Sequence, residues 1–264
     1  MMTWSYNGQT ALVTGASSGI GEAFARELAR RGCHLVLVAR SKERLNQLAH
    51  ELESAHGVKA LALTADLADP ASAEQVMGEL NDRQWRVNIL VNNAGFGTRG
   101  SFHQLPLDRL IQEIQLNTAT LTELTHRCLG PMTASGNGVV INVASLTAFQ
   151  PTPYMAVYGA TKAYVLSFTE ALWAEYRSQG VRIVALCPGE TSSSFHQVSG
   201  TDDLKGKRME PEEVVQAALR AVDQDRSSTI AGRKNFILAQ LPRFLPRRTV
   251  LNVVRGMFEQ TSSK

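Results

Sequence analysis

A tyrosine and a lysine four residues apart, Tyr158 and Lys162, are the side chains of this sequence best suited to proton transfer. Residues at this spacing lie on one face of a helix, so both side chains can reach one reacting group. A phenol ordinarily titrates at about 10, and a neighbouring ammonium stabilises the phenolate and lowers that pKa toward neutrality. Taken alone, the same spacing is common in surface helices, where it has no chemical role.

Two further polar residues, Ser145 and Asn117, are candidates for the same chemistry. Ser145 follows the apolar run 139–144, so its hydroxyl is expected at the carboxyl end of a strand. There it could hydrogen-bond a substrate carbonyl and stabilise charge on the oxygen, although a turn or capping serine is an alternative. No Gly-x-Ser-x-Gly motif surrounds it, so it need not be a hydrolase nucleophile. Asn117 lies in an amphipathic segment, where a solvent-facing polar residue is the plain interpretation.

A glycine-rich turn with Gly15, Gly19 and Gly21 separates the apolar run 10–13 from a segment of helical pattern at 22–29. The order strand, glycine-rich turn and helix is typical of sites that hold a dinucleotide pyrophosphate. Helix N-termini carry unpaired N–H groups that attract phosphate, and glycine lets the backbone approach the ligand. The motif alone is weak evidence, and it gains weight from the downstream motifs in the same chain.

The end of the second predicted strand indicates which dinucleotide is preferred. Sites for NAD place a carboxylate there to bind the ribose 2′-hydroxyl, whereas this chain has Ala39 followed by Arg40. A guanidinium matches a 2′-phosphate, so the sequence predicts NADP(H). An arginine that merely ends a strand in solvent is the alternative.

Together these motifs resemble the short-chain dehydrogenase/reductase family. Its TGxxxGxG turn matches residues 14–21, its NNAG motif residues 92–95, its YxxxK motif residues 158–162, and a PG dipeptide follows at 188–189. The resemblance covers residues 6–240. It implies an oxidoreductase whose catalytic residues are Asn117, Ser145, Tyr158 and Lys162, with Asn117 holding a water that relays protons past the lysine. It also implies that Lys162 binds the nicotinamide ribose.

The resemblance further implies a set of cofactor-binding residues. Two of them depart from the family pattern: Thr191 stands in place of a valine, and Ser193 replaces a threonine while keeping a hydroxyl. The expected set is Gly15, Ser17, Ser18, Gly19, Ile20, Gly21, Arg40, Asp66, Leu67, Asn93, Ala94, Gly95, Tyr158, Lys162, Pro188, Gly189, Thr191 and Ser193.

Strand-like apolar runs alternate with helical patterns along the chain, which predicts an α/β fold: a doubly wound parallel sheet of Rossmann type with helices on both faces. The predicted strands are residues 11–14, 34–39, 60–64, 89–92, 139–143, 182–186 and 235–238. We expect one oxidoreductase domain over residues 1–241. The non-periodic stretch 189–209 follows a strand end, so we expect a substrate loop there, with a plain surface insertion as the alternative.

Residues 242–264 form a predicted amphipathic extension, in which Val250, Val253, Val254 and Met257 recur at helical spacing beside several arginines. This stripe is expected to pack on the chain itself or on a partner subunit of a homo-oligomer, a dimer or tetramer. A peripheral contact with a membrane surface is the alternative.

Composition gives no support for a nucleic-acid-binding protein, a membrane-spanning protein or a metalloprotein. A net charge of +3 gives no argument for nucleic-acid binding, and no apolar stretch approaches the length of a membrane span. The three cysteines have no metal-ligand spacing, so no metal site is expected. Scattered cysteines suit a reducing compartment and the N-terminus lacks a signal-peptide pattern, so a cytoplasmic location is predicted.

The substrate side contains apolar residues that suit a mainly apolar aldehyde, ketone or secondary alcohol. The predicted reaction is hydride transfer between NADP(H) and that carbonyl or alcohol carbon. A non-catalytic NADPH sensor and an isomerase or epimerase on the same fold are the rival interpretations. The flanking residues are Phe96, Phe102, Phe149, Pro151, Pro153, Tyr154, Phe195 and Val198.

Overall fold

Short runs of Val, Leu, Ile and Ala form the strands, and amphipathic segments between them form the helices. The computed structural model describes residues 4–193, 195–203 and 208–259. The strands are β1 Thr10–Thr14, β2 His34–Ala39, β3 Ala60–Thr64, β4 Ile89–Asn92, β5 Gly138–Val143, β6 Val181–Cys187 and β7 Ser228–Ile230. The α-helices are α1 Gly19–Arg30, α2 Lys42–His56, α3 Ser72–Asp82, α4 Leu107–Ile114, α5 Leu121–Ser135, α6 Ala156–Tyr176, α7 Phe195–Ser199, α8 Pro211–Asp223, α9 Arg233–Gln240 and α10 Arg247–Phe258.

The strands pair in parallel in the order β3-β2-β1-β4-β5-β6-β7, within the part of the chain that the structure describes. The order reverses direction between β1 and β4, where Ala11 lies opposite Ile89. In sheets of this kind the crevice for a ligand opens at the carboxyl ends of the strands at this reversal. Of the predicted catalytic residues, Ser145 lies just after β5 at this edge, and Lys162 of α6 reaches the same strand end through its bond to Val143 O.

Successive side chains of β1 enter two different cores, one on each face of the sheet. Ala11 and Val13 pack with Phe24 and Leu28 of α1 on one face. Leu12 packs on the other face with apolar residues of α3 and α5, among them Val76 and Leu124. A parallel sheet covered on both faces explains why its strands are almost continuously apolar. The predicted doubly wound α/β fold is confirmed.

Apolar spacing predicts one helix over residues 107–129, but this stretch is divided into three parts. α4 ends at Ile114, residues Gln115–Thr120 form π-helical turns, and α5 continues to Ser135. π-Helical turns cannot be read from apolar spacing, and they frequently occur at functional sites. The end of α2 at His56 is easier to predict from the sequence, because the glycine that follows, Gly57, adopts a left-handed conformation with φ of 66°.

The predicted strand over residues 235–238 is wrong, since these residues lie in α9. The last strand of the sheet is β7, and it pairs with β6 through Ser228 opposite Ala185. Three consecutive apolar residues are too short to distinguish a strand from a helix. β7 escaped detection because it is a half-buried, three-residue edge strand with little need for apolar side chains.

The predicted substrate loop, residues 189–209, is partly ordered by its own contacts. Thr191 forms a β-bridge with Met209, and the short helix α7 lies between them. The buried His196 ring donates from Nε2 to Thr191 O (3.1 Å) and shares a hydrogen bond between Nδ1 and Thr201 Oγ1 (3.0 Å). These bonds fold the loop back on the carboxyl end of β6. No helix in the described residues is long and apolar enough to cross a membrane.

Candidate active site

The turn between β1 and α1 has a shape that only glycine permits. Gly15 and Gly19 have φ values of 65° and 56°, in the left-handed region that L-residues rarely adopt. A Cβ on Gly21 would lie 2.2 Å from the Gly15 carbonyl oxygen. The backbone is therefore closely folded just before the N-terminus of α1, where unpaired N–H groups can bind a phosphate. This cradle fits the pyrophosphate of a dinucleotide cofactor.

A second loop, which follows β4, supports the glycine turn from the side. The Thr14 hydroxyl accepts hydrogen bonds from the backbone N–H groups of Asn93 (2.9 Å) and Ala94 (3.0 Å). Asn93 Nδ2 donates to Thr14 O at 2.9 Å. The side chain of Asn93 therefore holds the turn in place instead of extending into the crevice.

The loop that carries Gly189, Thr191 and Ser193 closes the turn from the opposite side. A Cβ on Gly19 would lie 2.8 Å from Ser193 Cβ, so the two segments are in contact. The Thr191 hydroxyl donates to Gly189 O at 3.1 Å and thereby shapes the loop. The structure brings these two predicted cofactor-binding segments together around one cleft, next to the buried Pro188.

Asn117 is buried in the π-helical segment and does not face solvent, contrary to the plain interpretation of its sequence position. Its Oδ1 accepts a hydrogen bond from Phe96 N (3.2 Å), and its Nδ2 donates to Phe96 O (2.9 Å) and Thr161 Oγ1 (3.1 Å). A Cβ on Gly95 would lie 2.8 Å from Asn117 Oδ1 and 3.4 Å from Lys162 Nζ. Asn117 thus joins the loop after β4 to the helix α6 that carries the predicted acid and base.

Tyr158, Lys162 and Ser145 meet at the carboxyl end of β5. Lys162 Nζ donates to Val143 O at 2.8 Å and lies 5.7 Å from the centroid of the Tyr158 ring. The Ser145 hydroxyl accepts from Thr147 N at 3.2 Å and acts on the Tyr158 phenol as a hydrogen-bond partner. All three residues are buried. The local bond to Thr147 makes Ser145 the cap of a short 3-10 turn, which is the alternative interpretation of this serine.

Comparison with known proteins identifies the family of this chain. The family model described as short chain dehydrogenase matches residues 9–203, which is more than half of the chain. The chain belongs to the short chain dehydrogenase family. It is therefore an oxidoreductase of a family whose fold binds nicotinamide cofactors.

Three relatives of this dehydrogenase illustrate the range of the family. The very-long-chain 3-oxoacyl-CoA reductase of Anas platyrhynchos is 32% identical over 97% of this chain and 82% of that protein. A short-chain dehydrogenase from Sphingobium yanoikuyae in complex with NADPH has a TM-score of 0.81 and 36% identity, covering 97% of this chain and 98% of the other. The bulky-bulky ketone specific alcohol dehydrogenase from Comamonas testosteroni has a TM-score of 0.77 and 31% identity, with 97% of each chain covered.

The outer residues of the predicted cofactor-binding set follow the strands β2 and β3. Arg40 is exposed directly after β2, and Asp66 and Leu67 follow β3. Asp66 Oδ1 accepts a hydrogen bond from Ala68 N at 3.1 Å, and the Leu67 carbonyl accepts one from Thr120 Oγ1 at 2.8 Å. Ser17, Ser18 and Ile20 are half-buried on the glycine turn.

Burial shifts the pKa values of both residues of the predicted catalytic pair. For Tyr158 the shift is upward, opposite to the expected direction. Burial raises the pKa of Tyr158 to about 12, with Ser145 opposing and Glu113 adding to the increase. Burial also lowers the pKa of Lys162 to about 8, although Glu113 opposes that decrease. The expected lowering of the tyrosine pKa is therefore wrong for the protein alone, because removal from water is the largest effect on this phenol.

A buried glutamate, Glu113, was not found from the sequence. It is fully buried one helical turn before Asn117, and neither carboxyl oxygen forms a hydrogen bond of good geometry among the described residues. Burial raises its pKa to about 7; Thr98, Arg109 and Lys162 oppose this increase. Thr98 has the largest of these opposing effects, and its hydroxyl also accepts a hydrogen bond from Arg109 Nε at 3.2 Å. The sequence signal that could have identified Glu113 is its four-residue spacing from Asn117, which places both side chains on one face of a helix.

The predicted apolar substrate residues separate into two groups. Phe102, Pro153 and Tyr154 line a cavity of about 260 Å³, together with Leu110 and, at its rim, Arg255 of α10. The four predicted catalytic residues do not line this cavity, so it lies beside the catalytic group. Nearer to that group, the Phe195 ring lies 5.3 Å from the Tyr158 ring. Phe149 instead packs in the core with Val165 and is not part of a substrate wall.

An arginine that the sequence analysis passed over, Arg99, joins three segments around this region. Its guanidinium is buried and forms an ion pair with Asp203 of the substrate loop. It also donates to Gly200 O (3.3 Å) and to Phe258 O at the end of α10 (2.8 Å). The substrate loop and the C-terminal helix are thus held to one side chain. No sequence pattern connects residues this far apart in the chain.

No group of three or more His, Cys, Asp or Glu side chains in the described ranges is arranged to hold a metal ion.

Proposed function

We propose that this dehydrogenase transfers hydride between NADP(H) and the carbonyl or alcohol carbon of a mainly apolar aldehyde, ketone or secondary alcohol, with Tyr158 as the acid and base. The observation that carries the proposal is the burial of Ser145, Tyr158 and Lys162 at one strand end beside the glycine cradle. A protein that only sensed a dinucleotide would need the cradle but not this acid–base pair.

In this proposal the bound nicotinamide supplies or accepts the hydride, and the chain supplies proton transfer and orientation. Tyr158 is protonated at neutral pH because burial raises its pKa to about 12, so it can donate a proton to the carbonyl oxygen. The Ser145 hydroxyl stabilises charge on that oxygen. Lys162, fixed by Val143 O, binds the ribose and returns a proton to Tyr158, with Asn117 supporting the relay.

The preference for NADP(H) rests on Arg40. Its side chain is exposed after β2, no ion pair occupies it among the described residues, and the preceding residue is Ala39 instead of a carboxylate. The guanidinium is therefore available to a 2′-phosphate, which no negative charge at this position would repel. The NADPH complex of the Sphingobium relative supports the same preference.

The substrate class rests on the cavity beside the catalytic group and on the relatives. The cavity wall contains Phe102, Leu105 and Leu110, which favour an apolar compound. One relative is specific for bulky ketones and another reduces 3-oxoacyl-CoA, so both act on a carbonyl. We place the protein in the cytoplasm, consistent with three free, buried cysteines.

We also propose that the protein is a homo-oligomer that associates through α4 and α6, with residues 1–241 as one domain and residues 242–264 as an extension. α4 exposes Leu107, Ile111 and Ile114, and α6 exposes Tyr164 nearby. Apolar rows of this size on a helix are usually covered by a partner. A second copy can cover both through a two-fold contact.

The function is tested by measuring NADPH oxidation with a panel of apolar aldehydes and ketones. Tyr158→Phe should lower turnover by about 10²- to 10⁴-fold while NADPH affinity changes by only a few fold, because the hydroxyl acts in proton transfer. Tyr164→Phe, which lies on the same helix and is exposed, is the matched control. Binding of NADPH without turnover of any carbonyl would favour the sensor, and conversion of a substrate without net oxidation would favour the isomerase.

A further inference from the structure

The segment from residue 233 to residue 257, here called the C-terminal ridge, exposes more large apolar side chains than any other stretch of similar length in the described chain. α9 buries Ala239 and leaves three consecutive apolar residues outside, and the segment 241–245 after it adds three more. Phe244 alone is 82% exposed. The exposed members before α10 are Phe236, Ile237, Leu238, Leu241, Phe244 and Leu245.

α10 divides its apolar residues into two rows with different surroundings. Val250 and Val254 are buried against the body of the chain. Val253 and Met257, also four residues apart, are more than half exposed. The expected packing of the extension on the chain therefore accounts for only one row. Because the buried row and the Arg99 bond to Phe258 O fix the helix, the outer row is presented on a firmly attached support.

The charge of the C-terminal ridge has one sign. The ridge contains six basic residues and no Asp or Glu, whereas the whole chain has a net charge of +3, so the rest of the chain is net negative. Arg255 is paired with Glu259, at 2.9 Å. No ion pair among the described residues involves the other five, which are exposed: Arg233, Lys234, Arg243, Arg247 and Arg248.

Apolar side chains flanked by cations on short helices match the surface of an anionic bilayer, where the apolar groups enter the interface and the cations meet lipid phosphates. A second copy is a poorer match. A two-fold contact would place each ridge against itself, and ten unpaired positive charges would then face one another without a carboxylate between them. We infer that the C-terminal ridge docks the protein on the surface of an anionic phospholipid bilayer.

Docking in this orientation has a consequence for the substrate. Arg255 of α10 lines the rim of the cavity next to Tyr154, so the ridge and the cavity mouth share a helix. The bilayer is also where apolar compounds accumulate. This consequence rests on the proposed function, whereas the docking itself is independent of it.

The test is flotation of the full-length protein with vesicles of phosphatidylcholine mixed with phosphatidylglycerol, and with vesicles of phosphatidylcholine alone. We expect binding to the anionic vesicles, a large decrease at high salt, and little binding to neutral vesicles. Ile237→Ser combined with Phe244→Ser should abolish vesicle binding, because it removes apolar side chains that would enter the bilayer interface. Arg247→Ser combined with Arg248→Ser should reduce vesicle binding at least tenfold, because it removes two cations that would meet lipid phosphates.

Lys59→Ser combined with Arg86→Ser is the matched control, because it removes two exposed cations far from the ridge in sequence and should leave vesicle binding unchanged. The melting temperature and the turnover of a water-soluble ketone check that each variant is folded, and neither should change. Equal binding to neutral and anionic vesicles, or none to either, would overturn the inference. So would ridge variants that lower the oligomer mass without changing vesicle binding, since the ridge would then be a subunit contact.

Discussion

At the scale of single residues, the catalytic pair shows how burial sets proton affinity before any ligand binds. Tyr158 and Lys162 both lose water, and the loss disfavours phenolate and ammonium alike. The contacts that favour the ammonium are the Val143 carbonyl oxygen at 2.8 Å and the charge of Glu113. The protein alone therefore holds Tyr158 as a neutral phenol.

Glu113 should reduce stability as the pH rises. Its pKa in the folded protein is about 7, above the ordinary value of 4.5, so the folded state binds the proton more tightly than the unfolded state. Its contribution is fully present below about pH 4.5 and is lost as the pH approaches 7. Relative to Glu113→Gln, the protein should lose roughly 1–3 kcal/mol of unfolding free energy across this window, the cost of an unsatisfied buried polar group.

Urea unfolding of both proteins at several pH values measures this difference. Glu53→Gln, an exposed glutamate of α2, is the control and should show no comparable trend. A constant difference between the protein and Glu113→Gln from acid to neutral pH would contradict the assignment of the proton to Glu113.

Arg40→Ala should weaken NADPH binding by about 1.5–3 kcal/mol, the range for hydrogen bonds to charged groups, and leave NADH binding nearly unchanged. Adding Ala39→Asp should shift the preference toward NADH, because a carboxylate repels the 2′-phosphate. The kcat/KM values with both cofactors measure the shift. An unmodified protein that already favours NADH would show that Arg40 only ends the strand.

At the scale of elements, the glycines that shape the site can be separated from those that do not. Gly21→Ala places a methyl group 2.2 Å from Gly15 O and should cost about 1–3 kcal/mol of stability as well as cofactor affinity. Gly78→Ala in α3 meets nothing within 4 Å and should raise stability by about 0.5–1 kcal/mol. Thermal unfolding with and without NADPH compares the two; a tolerated Gly21→Ala would mean that the turn can relax.

The elements also show what the sequence can predict. β2 and β4 were predicted with their observed ends, because buried parallel strands are continuous apolar runs. The strand β7 and the helix α9 were not, since Ser228 to Ile230 is a half-buried edge and Phe236 to Leu238 is apolar yet exposed. Apolar residues that face outward carry the same pattern as a core, so only the structure distinguishes them.

At the scale of the whole molecule, the candidate site was predictable where motifs are local and not where it depends on distant contacts. Ser145, Tyr158 and Lys162 meet as expected, because Ser145 lies just after β5 and the other two lie one turn apart on α6, where Lys162 bonds to the end of β5. Arg99 was not predictable, since its partners Gly200 and Phe258 lie about 100 and 160 residues further along the chain. A side chain of this kind has no local signature.

The assembly is the next property of the whole molecule. Leu107→Arg combined with Ile111→Arg should reduce the mass in solution to that of one chain, 28.8 kDa, because charges would replace the exposed apolar row of α4. Light scattering after size-exclusion chromatography measures this, with Lys59→Ser combined with Arg86→Ser as the control. An unchanged mass would place the subunit contact elsewhere.

Arg99 connects the predicted substrate loop to the C-terminal helix. Its guanidinium binds Asp203 of that loop and the carbonyl oxygen of Phe258 at the end of α10, so a displacement of α10 would also change how the loop is held. When product escape limits the cycle, a released tail would speed turnover and weaken substrate retention together. The rate of product release would then depend on a contact between Arg99 and a residue about 160 positions further along the chain.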